Sequence, residues 1–269
     1  MRIPSVSTAG LVAALAVTGA ASVSHGALVS VTLQEGTHGE VITNKFLNLY
    51  GFSVSAVNIG GGPNKAIIFD SRQRNTADPD LEGYNQFTQS GPAWAVGNLK
   101  GLVDLGKMLI LAENDIDANN DGLIDSPDDE GTRPAGRITL NFNKPITEFG
   151  FNLVDVEGPS EFNGNTGYVM TVKGVNFRNR GTSSQIGFGQ FVTPGDPFYD
   201  PTITFGDRSA NKIKPIQASQ VGMISFNRVI IDLGGSGAID QFRYTFIPEP
   251  ASAALLAAPV LLAARRRRD

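Results

Sequence analysis

The central part of the chain alternates hydrophobic and polar residues with the two-residue period of a β-strand. Ile138, Leu140 and Phe142 fall on one face of such a strand, and Thr139 and Asn141 fall on the other. This alternation predicts strands that bury one face and leave the other near solvent. The chain contains ten strand-like runs, at residues 41–46, 51–57, 66–70, 108–112, 137–143, 149–156, 168–175, 202–205, 223–233 and 241–247.

Turn residues separate these runs and indicate how they connect. Glycine and proline occur together at residues 60–63, 91–92 and 158–159, and two glycines stand at 234–235. Only the two ends of the chain carry a helix-like apolar pattern. Many short strands with turn signals between them are typical of antiparallel sandwiches and jelly rolls. We therefore predict an all-β fold, an antiparallel β-sandwich of jelly-roll-like type, for a single domain at residues 27–247.

The N-terminal residues have the layout of a secretory signal peptide. Arg2 supplies a positive charge, an apolar and small-residue stretch follows at residues 9–21, and small residues surround position 26. A basic start, a short apolar core and small residues at the cleavage point are the marks of a signal peptide. We predict a signal peptide at residues 1–26, and hence export; the alternative is a buried N-terminal helix.

The C-terminal residues 248–269 combine three features in a fixed order. A charge-free run of fourteen residues, 251–264, is interrupted by Pro259. As a helix it would reach only about 21 Å, less than the roughly 30 Å of a bilayer core. Basic residues beside an apolar segment favour the cytoplasmic side. The flanking residues are Pro248, Glu249 and Pro250 before the run and Arg265, Arg266, Arg267 and Arg268 after it.

This tail resembles the PEP-CTERM sorting signal of Gram-negative bacteria. The resemblance covers residues 248–269 and implies recognition by an exosortase in the inner membrane. It further implies a short apolar helix that anchors the chain transiently, followed by transfer of the body to the cell envelope or the extracellular matrix. An ordinary C-terminal anchor is the alternative, but it leaves the Pro-Glu-Pro unexplained.

Composition excludes several kinds of site. The chain has no cysteine, so disulfides, thiolate metal sites and cysteine nucleophiles are absent. His25 lies in the signal peptide, which leaves His38 as the one histidine of the body and argues against a histidine-rich zinc site or a Ser-His-Asp triad. The formal net charge is −4, and removing the arginines at the two ends makes the body more acidic. Such a body has no electrostatic reason to bind nucleic acid but can bind cations.

The most informative internal segment is an acidic stretch at residues 114–130, which holds seven carboxylates and no basic residue. Its spacing over 115–128 matches a calcium loop of EF-hand type, with Gly122 at the sharp turn and Ile124 directed to the core. Asp115 adds a ligand in an alternative register. The predicted ligands are Asp117, Asn119, Asp121, Leu123 through its backbone carbonyl, Asp125 and Asp128.

The acidic loop departs from an EF-hand in two respects. Asp128 replaces the usual bidentate glutamate, and Pro127 and Pro134 argue against a following helix. The loop is therefore similar to helix-free calcium loops of extracellular repeat proteins or to one half of a dockerin, although a single copy argues against dockerin. The alternative is a solvated acidic loop without a metal ion.

Other acidic residues are weaker candidates for metal ligands. Asp240 follows a Gly-Ala-Ile turn, and a similar aspartate ligates calcium in carbohydrate-binding jelly rolls; this resemblance implies a ligand role for Asp240, with turn capping as the alternative. Asp78 and Asp80 form an acidic turn. Asp155 and Glu157 come at the end of a predicted strand.

Three functional hypotheses follow from these features. We expect a non-catalytic envelope or matrix protein stabilised by calcium, with exosortase and extracellular polysaccharide as partners. The alternative is a carbohydrate-binding module, for which Trp94 is the candidate glycan contact, although a buried core position fits Trp94 as well. A glycosidase built on Asp155 and Glu157, whose spacing suits paired carboxylates, ranks last.

Overall fold

The computed structural model describes residues 26–83, 94–101, 105–158 and 174–248, and it shows an antiparallel β-protein with little helix. The helices are α1 (Leu47–Tyr50), α2 (Phe188–Val192) and a 3-10 turn at Ala218–Val221. The strands are β1 (Leu28–Val31), β2 (Phe52–Asn58), β3 (Ala66–Asp70), β4 (Lys107–Leu111), β5 (Gly136–Val154), β6 (Gly174–Asn179), β7 (Thr182–Gly187), β8 (Ala210–Gln217), β9 (Phe226–Leu233) and β10 (Ala238–Phe246).

The long strand β5 organises the sheet. Its first half pairs with β2 on one edge and β9 on the other, whereas its second half pairs with β8 and β10. The pairing with β9 shifts register between Asn141 and Ile146, a segment that contains Pro145. Proline lacks the N–H that a central strand donates, so it favours an interruption of the ladder here. The ten strands therefore form one curled sheet.

The concave side of the curled sheet is filled by aromatic side chains. Phe52 and Phe149 both pack against Phe242, with ring centroids 5.7 and 5.8 Å apart, and Tyr244 lies 4.9 Å from Phe142. All five rings are buried. The predicted face of β5 is confirmed, because Ile138, Leu140 and Phe142 belong to this core.

A second, smaller core covers the outer face of β3, β4 and β10. Ile67 on β3 and Ile110 on β4 face this side, so these strands are buried on both faces. The covering residues come from loops: Leu81, Trp94 and Ile124 are all buried here. Ile124 thus anchors the acidic loop to the core, as its place in the sequence predicts. This second core brings several connecting loops together on one side of the sheet.

The structure corrects several predicted strand bounds. Residues 137–143 and 149–154 belong to the single strand β5, because the polar and proline residues between them do not end the strand, and residues 155–156 lie beyond its end. Residues 202–205 form no strand and are mostly irregular, and residues 41–46 form only an isolated bridge at Val41 before α1. Strands β1, β7 and β8 were not predicted; β7 is polar and β8 contains Pro215, so neither shows a clear apolar alternation.

Three predicted features fall wholly or largely outside the described residues. These are the signal peptide up to residue 25, the sorting tail from residue 249 and most of the predicted strand at 168–175. Within the described ranges, the helices are too short or too polar to cross a bilayer.

The aromatic core makes a prediction about stability. We expect Phe242→Ala to lower the free energy of unfolding by about 3–5 kcal/mol, because it leaves a cavity among packed rings. Ile224→Ala, at a side chain that is 92% exposed, is the control and should change stability by less than about 0.5 kcal/mol. Urea denaturation measures both, and equal costs for the two variants would contradict this assignment of the core.

Candidate metal centres

The acidic loop after β4 is held at both sides of its turn. Leu123 forms a bridge with Glu40, and the N–H of Ile124 donates to the carbonyl of Gly39 at 2.9 Å. The N–H of Asp125 donates to the carbonyl of Ile116 at 2.9 Å and closes the loop across its base. The loop is therefore a fixed element of the surface, with Asp115, Asp121 and Asp125 exposed and Asp117 half-buried.

Inside the loop, side-chain oxygens accept hydrogen bonds from the backbone. The two carboxylate oxygens of Asp117 accept from the N–H groups of Asp121 at 3.1 Å and Gly122 at 3.0 Å. Asp125 accepts from the N–H of Ala118 at 2.7 Å and from the amide of Asn119 at 3.1 Å. Gly122 has φ +86°, a left-handed value that glycine adopts without strain. The loop thus draws Asp117, Asn119 and Asp125 around one turn.

The other predicted side-chain ligands, Asp115, Asp121 and Asp128, make different contacts. Asp115 forms an exposed ion pair with Lys65 at 3.1 Å. The carboxylate of Asp121 accepts from the N–H of Leu123 at 2.9 Å within the loop. Asp128 lies beside Asp78 and Asp129.

A second acidic group, which we call the buried triad, consists of Asp78, Asp128 and Asp129. One carboxylate oxygen from each residue lies within 4.8 Å of the others, an arrangement that can hold a metal ion. Asp78 and Asp129 are buried, with 6% and 5% exposure, and Asp128 is half-buried. Asp78 comes from the loop after β3, whereas Asp128 and Asp129 come from the segment before β5.

Burial and mutual repulsion raise the pKa values of the triad. Burial is the main cause of a rise in the pKa of Asp78 to about 9, and the negative charges of Asp129, Asp155 and Asp128 add to it. Burial likewise raises the pKa of Asp129 to about 7, although hydrogen bonds from Gly237 and Ser236 oppose the shift. Burial raises the pKa of Asp128 as well. The site therefore favours either protons or a cation.

Asp155 and Glu157 extend the negative charge beside the triad. Asp155 accepts from the N–H of Arg208 at 2.6 Å, and Glu157 accepts from the N–H of Ser236 at 2.9 Å and from Arg133 at 3.2 Å. Burial raises the pKa of Asp155 to about 8 and also raises that of Glu157. Their exposure is 6% and 7%, so both carboxyl groups that the glycosidase hypothesis names are buried.

Asp240 belongs to another buried network on β10. Its carboxylate accepts from Asn152 at 3.3 Å, while its second oxygen has no hydrogen-bond partner. Arg243 donates to the Asn152 carbonyl at 3.1 Å and to the backbone carbonyl of Ile213 at 3.1 Å. Burial raises the pKa of Asp240 to about 7. Among the described residues, the side-chain hydrogen bond of Asp240 is to Asn152 and not to a ligand of the acidic loop, so a metal role for Asp240 stays a prediction.

Trp94 is buried, and His38 is half-buried. Trp94 has no exposed surface and lies in the second core, so its ring is not presented to a ligand at the surface. His38 accepts a hydrogen bond from the backbone N–H of Asp70 at 3.0 Å, and burial lowers its pKa.

Only Asp128 of the buried triad was a predicted loop ligand. In the sequence, Asp78 is one carboxylate of an acidic turn, and Asp129 is one of the seven carboxylates of the acidic stretch. Their signal in the sequence is weak because the triad joins segments that are far apart along the chain. The adjacent carboxylates at 128–129 are the cue that the sequence offers.

The chain has no match among protein-family models, curated proteins or solved structures. The arguments about its function therefore rest on its own sequence and geometry.

The tight turn beside Glu157 allows a test of the packing next to the triad. A side chain at Gly235 would place its Cβ 2.1 Å from the Glu157 carboxylate. We expect Gly235→Ala to destabilise the fold by about 1–3 kcal/mol, because the buried carboxylate must move.

The matched control is Gly131→Ala, where a Cβ meets no atom within 4 Å. Thermal unfolding of both variants measures the difference. A Gly235→Ala protein as stable as the Gly131→Ala protein would contradict the described turn.

Proposed function

We propose that this chain is an exported, non-catalytic protein of the cell envelope or extracellular matrix, whose body binds calcium for stability. In this proposal the body, residues 27–247, is a β-sandwich of jelly-roll-like type, and the curled antiparallel sheet is compatible with that class. The tail, residues 248–269, is an exosortase substrate that anchors transiently in the inner membrane. Extracellular polysaccharide is the proposed partner, and no contact residue is assigned to it.

The closed geometry of the acidic loop is the observation that supports calcium binding. Asp117, Asn119 and Asp125 are held around a turn whose left-handed position is Gly122. Calcium takes six to eight oxygen ligands in flexible geometry, and this loop offers carboxylate, amide and backbone oxygens. The bridge between Leu123 and Glu40 holds the proposed carbonyl ligand in place.

The absence of cysteine makes a stabilising cation more useful in an exported protein. Exported domains often rely on disulfides, and this chain has none. A ligand that binds only the native state stabilises it by mass action. Extracellular calcium modules bind with dissociation constants of about 10⁻⁴–10⁻³ M, so a modest site in this loop is sufficient outside the cell.

Calcium should raise the melting temperature of the protein. At a calcium concentration of 100 times the dissociation constant, the gain is about 2.7 kcal/mol, or roughly 5–10 °C for a domain of this size. Asp117→Asn removes one charge from the loop and should weaken the loop's calcium affinity by about tenfold or more. Differential scanning calorimetry with calcium and with EDTA measures the effect.

The control for the calcium experiment is Asp196→Asn. This carboxylate accepts hydrogen bonds from Phe198 and Gln190 in the turn after α2. It should leave the calcium response unchanged. Identical melting curves in calcium and EDTA for the natural protein would count against the calcium part of the proposal.

The sorting proposal predicts two cleavages in a bacterium that has an exosortase. Mass spectrometry of the exported protein should find an N-terminus near residue 27 and a C-terminus near Pro248–Pro250. Replacing Pro248, Glu249 and Pro250 by alanine should leave the tail attached and the protein in the inner membrane. Release of the alanine variant at the natural rate would refute recognition of this motif.

A further inference from the structure

We propose that the buried triad, Asp78, Asp128 and Asp129, with Asp155 beside it, is a calcium site separate from the turn of the acidic loop. The two sites share Asp128 but are otherwise built from different residues. This inference requires neither export nor the sorting tail. It assigns a role to the largest concentration of buried negative charge among the described residues.

The strongest support is an unpartnered oxygen on Asp78. One carboxylate oxygen accepts from the N–H groups of Asp80 at 3.1 Å and Leu81 at 3.2 Å. The other oxygen is buried and has no hydrogen-bond partner, in a side chain that is 94% buried (6% exposed). An unpaired buried carboxylate oxygen is costly. A carboxylate oxygen of Asp78 lies within 4.8 Å of oxygens of Asp128 and Asp129, and a cation shared by the three residues would supply a partner for this buried carboxylate.

The charges around Asp78 make a cation the natural partner. The largest charge effects on Asp78 come from Asp129, Asp155 and Asp128, and all three are carboxyl groups. Arg133 is ion-paired with Glu157 at 3.2 Å. The side chain of Arg208 donates to the carbonyl of Pro79 at 3.2 Å. Several buried carboxylates in one place repel one another unless they are protonated or share a cation.

The hydroxyl of Ser236 cannot relieve this repulsion by itself. Its oxygen lies 2.8 and 2.9 Å from the two oxygens of Asp129 and 3.3 Å from an oxygen of Asp155. A serine hydroxyl carries one proton and so can donate to only one of these oxygens at a time. The other contacts bring lone pairs together. A positive charge nearby makes this arrangement favourable.

The dimensions of the triad suit calcium. Calcium–oxygen distances are about 2.3–2.6 Å, so two ligands on opposite sides of the ion are up to about 5 Å apart. The triad oxygens lie within 4.8 Å of one another, inside that limit. Magnesium binds at about 2.0–2.1 Å and demands octahedral geometry. A site of carboxylates on separate loops, which can adjust to a larger ion, fits calcium better.

A cation at the triad would join segments that are distant in the sequence. Asp78 lies after β3, Asp129 precedes β5 and Asp155 follows β5. Ser236 and Gly237, in the turn before β10, donate to Asp129 and so attach a fourth segment. Binding here would brace the loops that cover the second core.

Isothermal titration and calorimetric melting of the purified full chain test this inference, with Ca²⁺ as the probe. The main variant is Asp78→Asn, which keeps an acceptor for Asp80 and Leu81 and places an amide donor where the unpartnered oxygen lies. In EDTA, this variant should melt at or above the temperature of the natural protein, because a neutral amide needs neither a buried charge nor a bound proton at this position. In calcium, it should bind one ion fewer and lose the corresponding rise in melting temperature.

The loop variant Asp117→Asn is the matched comparison, and Asp196→Asn is the control for an Asp-to-Asn change elsewhere. If Asp78→Asn loses an ion that Asp117→Asn retains, the triad site is supported, whatever happens at the loop. If Asp78→Asn keeps the natural stoichiometry and the full rise in melting temperature, the triad proposal is overturned. If only Asp117→Asn abolishes calcium binding, the loop proposal stands and the triad proposal fails. The absence of calcium binding by the natural protein overturns both.

Discussion

The structure depends on a single bent strand that serves two sets of neighbours. In β5, the first half holds β2 and β9, and the second half holds β8 and β10. The register break around Pro145 allows the strand to bend while most of its backbone groups stay paired. Bending one strand, instead of starting a second sheet, produces a curled sheet with an aromatic core on its inner side.

The strands β3 and β4 of this curled sheet are also apolar on the outer side, and that face must be kept from water. Every residue of β3 is buried, so its outer face needs a cover. Loops supply that cover through Leu81, Trp94 and Ile124. The loops that carry Leu81 and Ile124 also carry Asp78 and the acidic stretch, so the requirement to bury one apolar face brings carboxylates close together. The triad is therefore a consequence of the second core.

The sequence predicted the features that depend on neighbouring residues. The alternating face of β5, the all-β class and the role of Ile124 follow from local periodicity, and the structure confirms them. The continuity of β5 across residues 143–146 could not be predicted, because a proline between two apolar runs usually separates strands. Polar β7 and proline-containing β8 gave no clear alternation. The proposed calcium loop is recognisable in the sequence because its candidate ligands are spaced within one segment, whereas the triad depends on contacts that only the folded chain creates.

The two proposed calcium sites would stabilise the fold in different ways. A cation held by Asp117, Asn119 and Asp125 closes a short segment, so it removes little conformational freedom from the unfolded chain. A cation held by Asp78, Asp129 and Asp155 closes much longer segments, and the entropy of closing a loop grows with its length. In a chain without cysteine, such a link would take the place that a disulfide has in many exported domains. The site that is harder to recognise in the sequence would thus contribute more to the stability of the whole domain.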